Sequence, residues 1–103
     1  MHKLVFYVPP THVEKVKQAV FAAGAGRQGS YDSCCWQVLG RGQFCPLESS
    51  SPYLGKPGTL EEVDEYRVEM LCMDNCVGSV VSALRAAHPY EEPAFDIWSL
   101  LEV

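Results

Sequence analysis

No apolar run in the sequence reaches the roughly 18 residues that a membrane-crossing helix needs, which argues against a membrane partner. The opening run Leu4-Val5-Phe6-Tyr7-Val8 is cut by Pro9 and Pro10 and is too short for the apolar part of an export signal, so the expected compartment is the cytoplasm. Positive charge is scarce. Eight Lys and Arg face thirteen Asp and Glu, a net charge of −5, the reverse of the basic surface that binds phosphate backbones, and nucleic acid is not expected as a direct partner. The five cysteines are an odd number in a chain without an export signal, so they are expected to be free and to pack as small hydrophobes. Cys72-x3-Cys76 lacks the second Cys/His pair of a zinc site. No G-x-S-x-G elbow or comparable Ser/His or Cys/His arrangement offers a nucleophile, so the chain is not expected to be an enzyme.

What the sequence has is an ordinary globular balance, 48% apolar and 20% charged over 103 residues, enough for a single domain spanning 1–103. Residues 3–8 alternate as a strand, with Leu4, Phe6 and Val8 on one face. Thr11-His12-Val13-Glu14 has the form of a capping box, and Val13, Val16, Val20 and Ala23 then recur at helical spacing up to Gly24, which suits a left-handed cap. Alternation returns over 33–44, with Cys34, Trp36 and Val38 facing one way and Leu39 and Arg41 the other. Residues 45–62, rich in Pro, Gly and Ser, form a long loop, and loops of that length in small domains are often functional. A third strand runs from about Val63 to Cys72, with Tyr66, Val68, Met70 and Cys72 on one face. Asp74 or Asn75 can cap a second helix carrying Val77, Val80, Val81 and Leu84, which stops before Pro89; a last strand covers Phe95–Leu101.

This order predicts an α+β, ferredoxin-like βαββαβ fold: a four-stranded antiparallel sheet with two helices on one face. The other face then carries Val5, Tyr7, Leu39, Leu71 and either Trp98 or Leu100 beside Glu65, Arg67 and Glu69. So much apolar surface predicts burial against other subunits, a homo-oligomer.

Two segments invite a chemical reading. Gly24-Ala25-Gly26-Arg27-Gln28-Gly29 spells G-x-G-x-x-G, but it follows a helix and precedes a strand, the wrong order for a dinucleotide turn. His88-Pro89-Tyr90-Glu91-Glu92-Pro93 packs an imidazole, a phenol and two carboxylates between prolines. His88 with Glu91 and Glu92 can ligate a divalent metal; the cluster can equally position a small molecule, or serve only as a rigid connection with His88 against the last helical carbonyls.

Taken together, Gly24-Ala25-Gly26, Gly40-x-Gly42-x-Phe44-x-Pro46, Pro52-Tyr53-x-Gly55, Leu60-Glu61-x-Val63-x-Glu65 and His88-Pro89-Tyr90-Glu91-Glu92-Pro93-Ala94 resemble the YqfO-type insert of the Nif-three-like family (NGG-one-interacting factor three). The resemblance implies a PII/CutA-like domain, a trimer, and a recognition loop in the place of residues 45–62. The metal-binding core that flanks the insert in larger members is absent, so none of its ligands carries over. The expected role is a non-catalytic binding or regulatory module. Its contacts to a small ligand or protein partner would come from Arg41, Phe44, Tyr53, Gly55 and Lys56, with His88, Tyr90, Glu91 and Glu92 beside them. No cofactor is expected; the alternative is a CutA-like divalent-metal protein using His88, Glu91 and Glu92.

Overall fold

The computed structural model describes residues 1–103. Its elements are β1 (His2–Val8), α1 (Val13–Ala22), β2 (Trp36–Phe44), β3 (Glu61–Cys72), α2 (Val77–Ala87, entered through a 3-10 turn at Asp74–Cys76) and β4 (Phe95–Ser99). The strands form one antiparallel sheet in the order β2-β3-β1-β4, the ferredoxin-like topology that the element order predicts. No helix is long and apolar enough to cross a membrane.

Alternation decides which face is buried. Leu4 lies opposite Met70, and Phe6 opposite Val68 and Phe95, so these side chains share the face that meets the helices. From the helices, Val13, Val16 and Val20 of α1 and Val80 and Leu84 of α2 close the core. Burying each large side chain contributes about 1.5–3 kcal/mol, which makes this layer the main source of stability.

The helix starts differ from the sequence expectation. α1 begins behind His12 with no side-chain cap, and Thr11 spends its hydroxyl on His12 Nδ1 at 2.9 Å. The His12 N–H instead donates to the Pro9 carbonyl at 3.0 Å, so a proline-led turn positions the helix. No side chain caps α2 either; Asp74 bonds the Met1 ammonium at 2.7 Å. The end of α1 does meet expectation. The Gly24 and Ala25 N–H groups donate to Phe21 and Val20, the paired bonds of a Schellman cap, with Gly24 at φ +115°.

Cross-strand register corrects one face assignment. Leu39 pairs with Tyr66 and so lies on the helix side, whereas Trp36 and Val38 pair with Glu69 and Arg67 on the opposite face. That face therefore carries Trp36, Val38, Val5, Tyr7, Leu71 and Trp98, with Trp36 60% and Trp98 43% exposed.

β3 outruns β1. Val8 pairs with Tyr66, so Glu61–Glu65 and their partners Gly40–Phe44 extend past the sheet as a two-stranded ribbon. The 45–60 loop joins its far end.

Candidate functional site

The site is built where α2 gives way to β4. Pro89 disfavours helical backbone in the residue before it, and His88 leaves α2 extended at φ −72°, ψ 137°. This turns the imidazole inward, 6% exposed, where Nε2 donates to the Tyr7 carbonyl at 2.7 Å. Nδ1 accepts the Tyr90 N–H at 3.1 Å. One donor and one acceptor define the neutral Nε2–H tautomer. Burial, reinforced by His12 and opposed by the Tyr7 carbonyl, holds the His88 pKa below its ordinary value.

His88 thus anchors Tyr90, whose ring packs on the imidazole at 4.9 Å and reaches Phe44 at 6.0 Å and Tyr53 at 6.1 Å. Tyr53 arrives because the long loop folds back. The Gly58 N–H bonds the Pro46 carbonyl at 2.8 Å, closing the loop's neck. Glu91 accepts the Ser51 N–H at 3.1 Å, and Tyr53 meets the His12 ring edge-on at 5.9 Å.

Between the folded loop and residues 90–94 lies a cleft of about 370 Å³, within the range of small-molecule sites. Its aromatic walls are Phe44, Tyr53 and Tyr90, and its acidic groups are Glu65, Glu91 and Glu92. Glu65 rises from β3 over Gly42, where a Cβ would stand 1.7 Å from its Oε1, so only glycine leaves room for this carboxylate. Burial raises the Glu65 pKa, and the Tyr90 phenol partly offsets the rise. The Tyr90 pKa is pushed up to about 12, first by burial and then by the Glu65 charge. The phenol oxygen is solvent-inaccessible and lies against Glu65, in a long hydrogen bond to its carboxylate that falls outside strict geometry.

Of the sequence-predicted residues, Phe44, Tyr53, Tyr90, Glu91 and Glu92 line the cleft, with His88 behind them. The rest fall outside. The Arg41 guanidinium pairs with Glu62 at 3.1 Å and Asp64 at 3.8 Å, Gly55 sits beside Glu61, and Lys56 is exposed. Glu65 was missed as a site residue; its signal is a long acidic residue opposite the Gly40/Gly42 pair. The proposed metal donors do not fit a metal. His88 has both nitrogens engaged within the chain, Glu91 holds Ser51, and no group of three His, Cys, Asp or Glu side chains is gathered to hold an ion.

This sheet order with both helices on one face defines a ferredoxin-like fold, the one that PII and CutA proteins share. The PII-like protein CutA from Nostoc sp. PCC 7120 superposes with TM-score 0.69 over 97% of this chain and 81% of its own, at 16% identity, a likeness of fold alone. A narrower relationship is carried by sequence. A Mycobacterium leprae protein named GTP cyclohydrolase 1 type 2 homolog is 50% identical over 98% of this chain and 26% of its own length. A Bacillus cereus protein related to NIF3 superposes with TM-score 0.83 at 39% identity, over 96% of this chain and 25% of that one. No family model matches the chain. The chain therefore corresponds to the PII/CutA-like segment of the Nif-three-like proteins, and it spans about a quarter of the length of these relatives.

Proposed function

We propose that this chain is a non-catalytic binding module that works as a homo-oligomer in the cytoplasm, taking a small ligand or a segment of a protein partner in the cleft behind the 45–60 loop. The observation that carries the reading is the cleft itself: three aromatic rings gathered from three separate segments around a cavity of about 370 Å³. Any cyclohydrolase chemistry implied by the relatives' name belongs, in this reading, to the three quarters of those proteins that the chain does not span.

The face opposite the helices supports the oligomer. Trp36, Val38 and Trp98 are exposed together there, and the outer edges of β2 and β4 have no strand beside them. A trimer is the arrangement that the resemblance to PII and CutA implies.

Fragment screening by NMR on the whole chain tests the cleft, and light scattering tests the assembly. Fragment hits are expected to converge on amides of 43–54 and 90–94, and Trp98→Glu is expected to dissociate the oligomer. Hits scattered over the surface, a monomeric wild type, or turnover of GTP by the chain alone would each overturn the corresponding part.

A further inference from the structure

Resting on the reading of the cleft as a binding site, we propose that its ligand is an organic cation, an ammonium or guanidinium group carried on a short aliphatic or aromatic body. The rings of Phe44, Tyr53 and Tyr90 give the cleft apolar walls whose π faces attract positive charge. Three carboxylates complete it, Glu65 from β3 and Glu91 and Glu92 from the α2-β4 connection.

No Lys, Arg or His lines the cleft. Beside it, His12 meets the Tyr53 ring edge-on but does not line the cleft, and its Nδ1 is bonded to Thr11. Arg41 is paired with Glu62 and Asp64, and the His88 imidazole is neutral with both nitrogens bonded. A phosphate or carboxylate placed here would meet like charge and no cationic group, whereas a cation meets opposite charge at Glu65, Glu91 and Glu92.

The Tyr90 hydroxyl is buried at the cleft wall and lies against Glu65. A cation laid against the Tyr90 ring brings its charge beside the Glu65 carboxylate. Gly42 keeps that carboxylate in place, since any side chain there would displace it. Burial disfavours the ionised form of Glu65 in the free protein, and a cation beside it restores that form.

The test uses two probes of matched shape, 2-phenylethylammonium and 3-phenylpropionate, titrated at equal ionic strength into the isotope-labelled whole chain, with ATP as a third. The ammonium is expected to shift the Phe44, Tyr53 and Tyr90 amides saturably, and the propionate and ATP to leave them unmoved. Glu65→Gln is expected to weaken the ammonium about tenfold, equivalent to about 1.4 kcal/mol. Glu91→Gln, at an exposed position that cannot unfold the chain, is expected to weaken it less.

Tighter binding of 3-phenylpropionate or ATP at the same amides would overturn the cationic assignment and leave the binding-site reading standing. No shift at those amides with any probe at saturation would overturn both. Ammonium binding that neither glutamate variant weakens would also overturn the assignment.

Discussion

The two halves of the molecule repeat the same strand–helix–strand unit, yet they leave their helices by opposite devices. After α1 the chain turns on backbone freedom. Gly24 and Gly26 take positive φ, the Gly26 N–H bonds the Leu71 carbonyl at 2.8 Å, and the Gly26 carbonyl accepts the Cys34 N–H at 2.8 Å. This lays the 26–34 segment along the edge of β3 that β2, beginning only at the Trp36–Glu69 pair, does not reach. After α2 the chain turns on a side chain, with His88 standing in for a strand partner at the Tyr7 carbonyl. Backbone closure leaves a hollow of about 340 Å³ between the 26–36 segment and the sheet, lined by Lys3, Arg27, Gln28 and Glu69 and without a cluster of rings. Closure by a side chain spares the following residues from ladder duty and turns Tyr90, Glu91 and Glu92 toward the cleft.

The contrast can be broken first on the glycine side. At Gly26 a Cβ would stand 2.7 Å from the Phe21 ring at φ +80°, so Gly26→Ala is expected to cost about 2–4 kcal/mol in urea unfolding. Gly29, at φ +58° with nothing within 4 Å, isolates the backbone part, and its alanine variant is expected to lose about 1 kcal/mol. On the histidine side, His88→Ala leaves the Tyr7 carbonyl and Tyr90 N–H without partners and is expected to cost about 1–3 kcal/mol. It should also change the pH dependence. With its folded pKa below the unfolded value of about 6.5, His88 binds a proton more readily when unfolded. Its contribution to stability is complete above that value and falls as pH drops through the folded pKa, so the variant is expected to lose that acid-side slope.

Smaller effects sharpen the comparison at the cleft. Gly42→Ala meets only the movable end of the Glu65 side chain. It is expected to leave unfolding nearly unchanged while the Glu65 carboxyl, pushed out to water, titrates closer to its ordinary range by carbon-detected NMR. Glu91→Ala removes an exposed bond to the Ser51 N–H and is expected to cost under about 1 kcal/mol, with faster amide exchange at Ser51 as its clearest sign.

The core was legible in the sequence because one-sided alternation specifies it. Val68, Met70 and Cys72 alternate with Arg67 and Glu69, which gives β3 one inward face, and Leu4, Phe6 and Val8 pack on the same side. β2 was not legible in this way, since Val38 and Leu39 make both of its faces apolar and only pairing with Arg67 and Tyr66 assigns them. The capping box failed for a related reason. Thr11 and Glu14 have the right spacing, but Glu14 turns to Lys17 at 3.1 Å and the Pro9 carbonyl already holds the turn. Half of the candidate site was visible as the dense polar run after α2. Glu65 was hidden because its place depends on Gly42 across a strand pair, a relation no single segment displays.

The position of β1 has a consequence for how the chain acquires its shape. Its first residues lie between a strand that ends at Cys72 and one that ends at Ser99, with His2 paired to both. Within the sheet, β1 precedes both of its neighbours in sequence and is flanked on both sides only when β4 is in place. Contacts this remote in sequence slow the search for the native pairing. During synthesis α1 can cover Leu4, Phe6 and Val8 early, but the edge of β1 that takes β4 stays open until residues 95–99 have emerged, a window in which a chaperone would shield it.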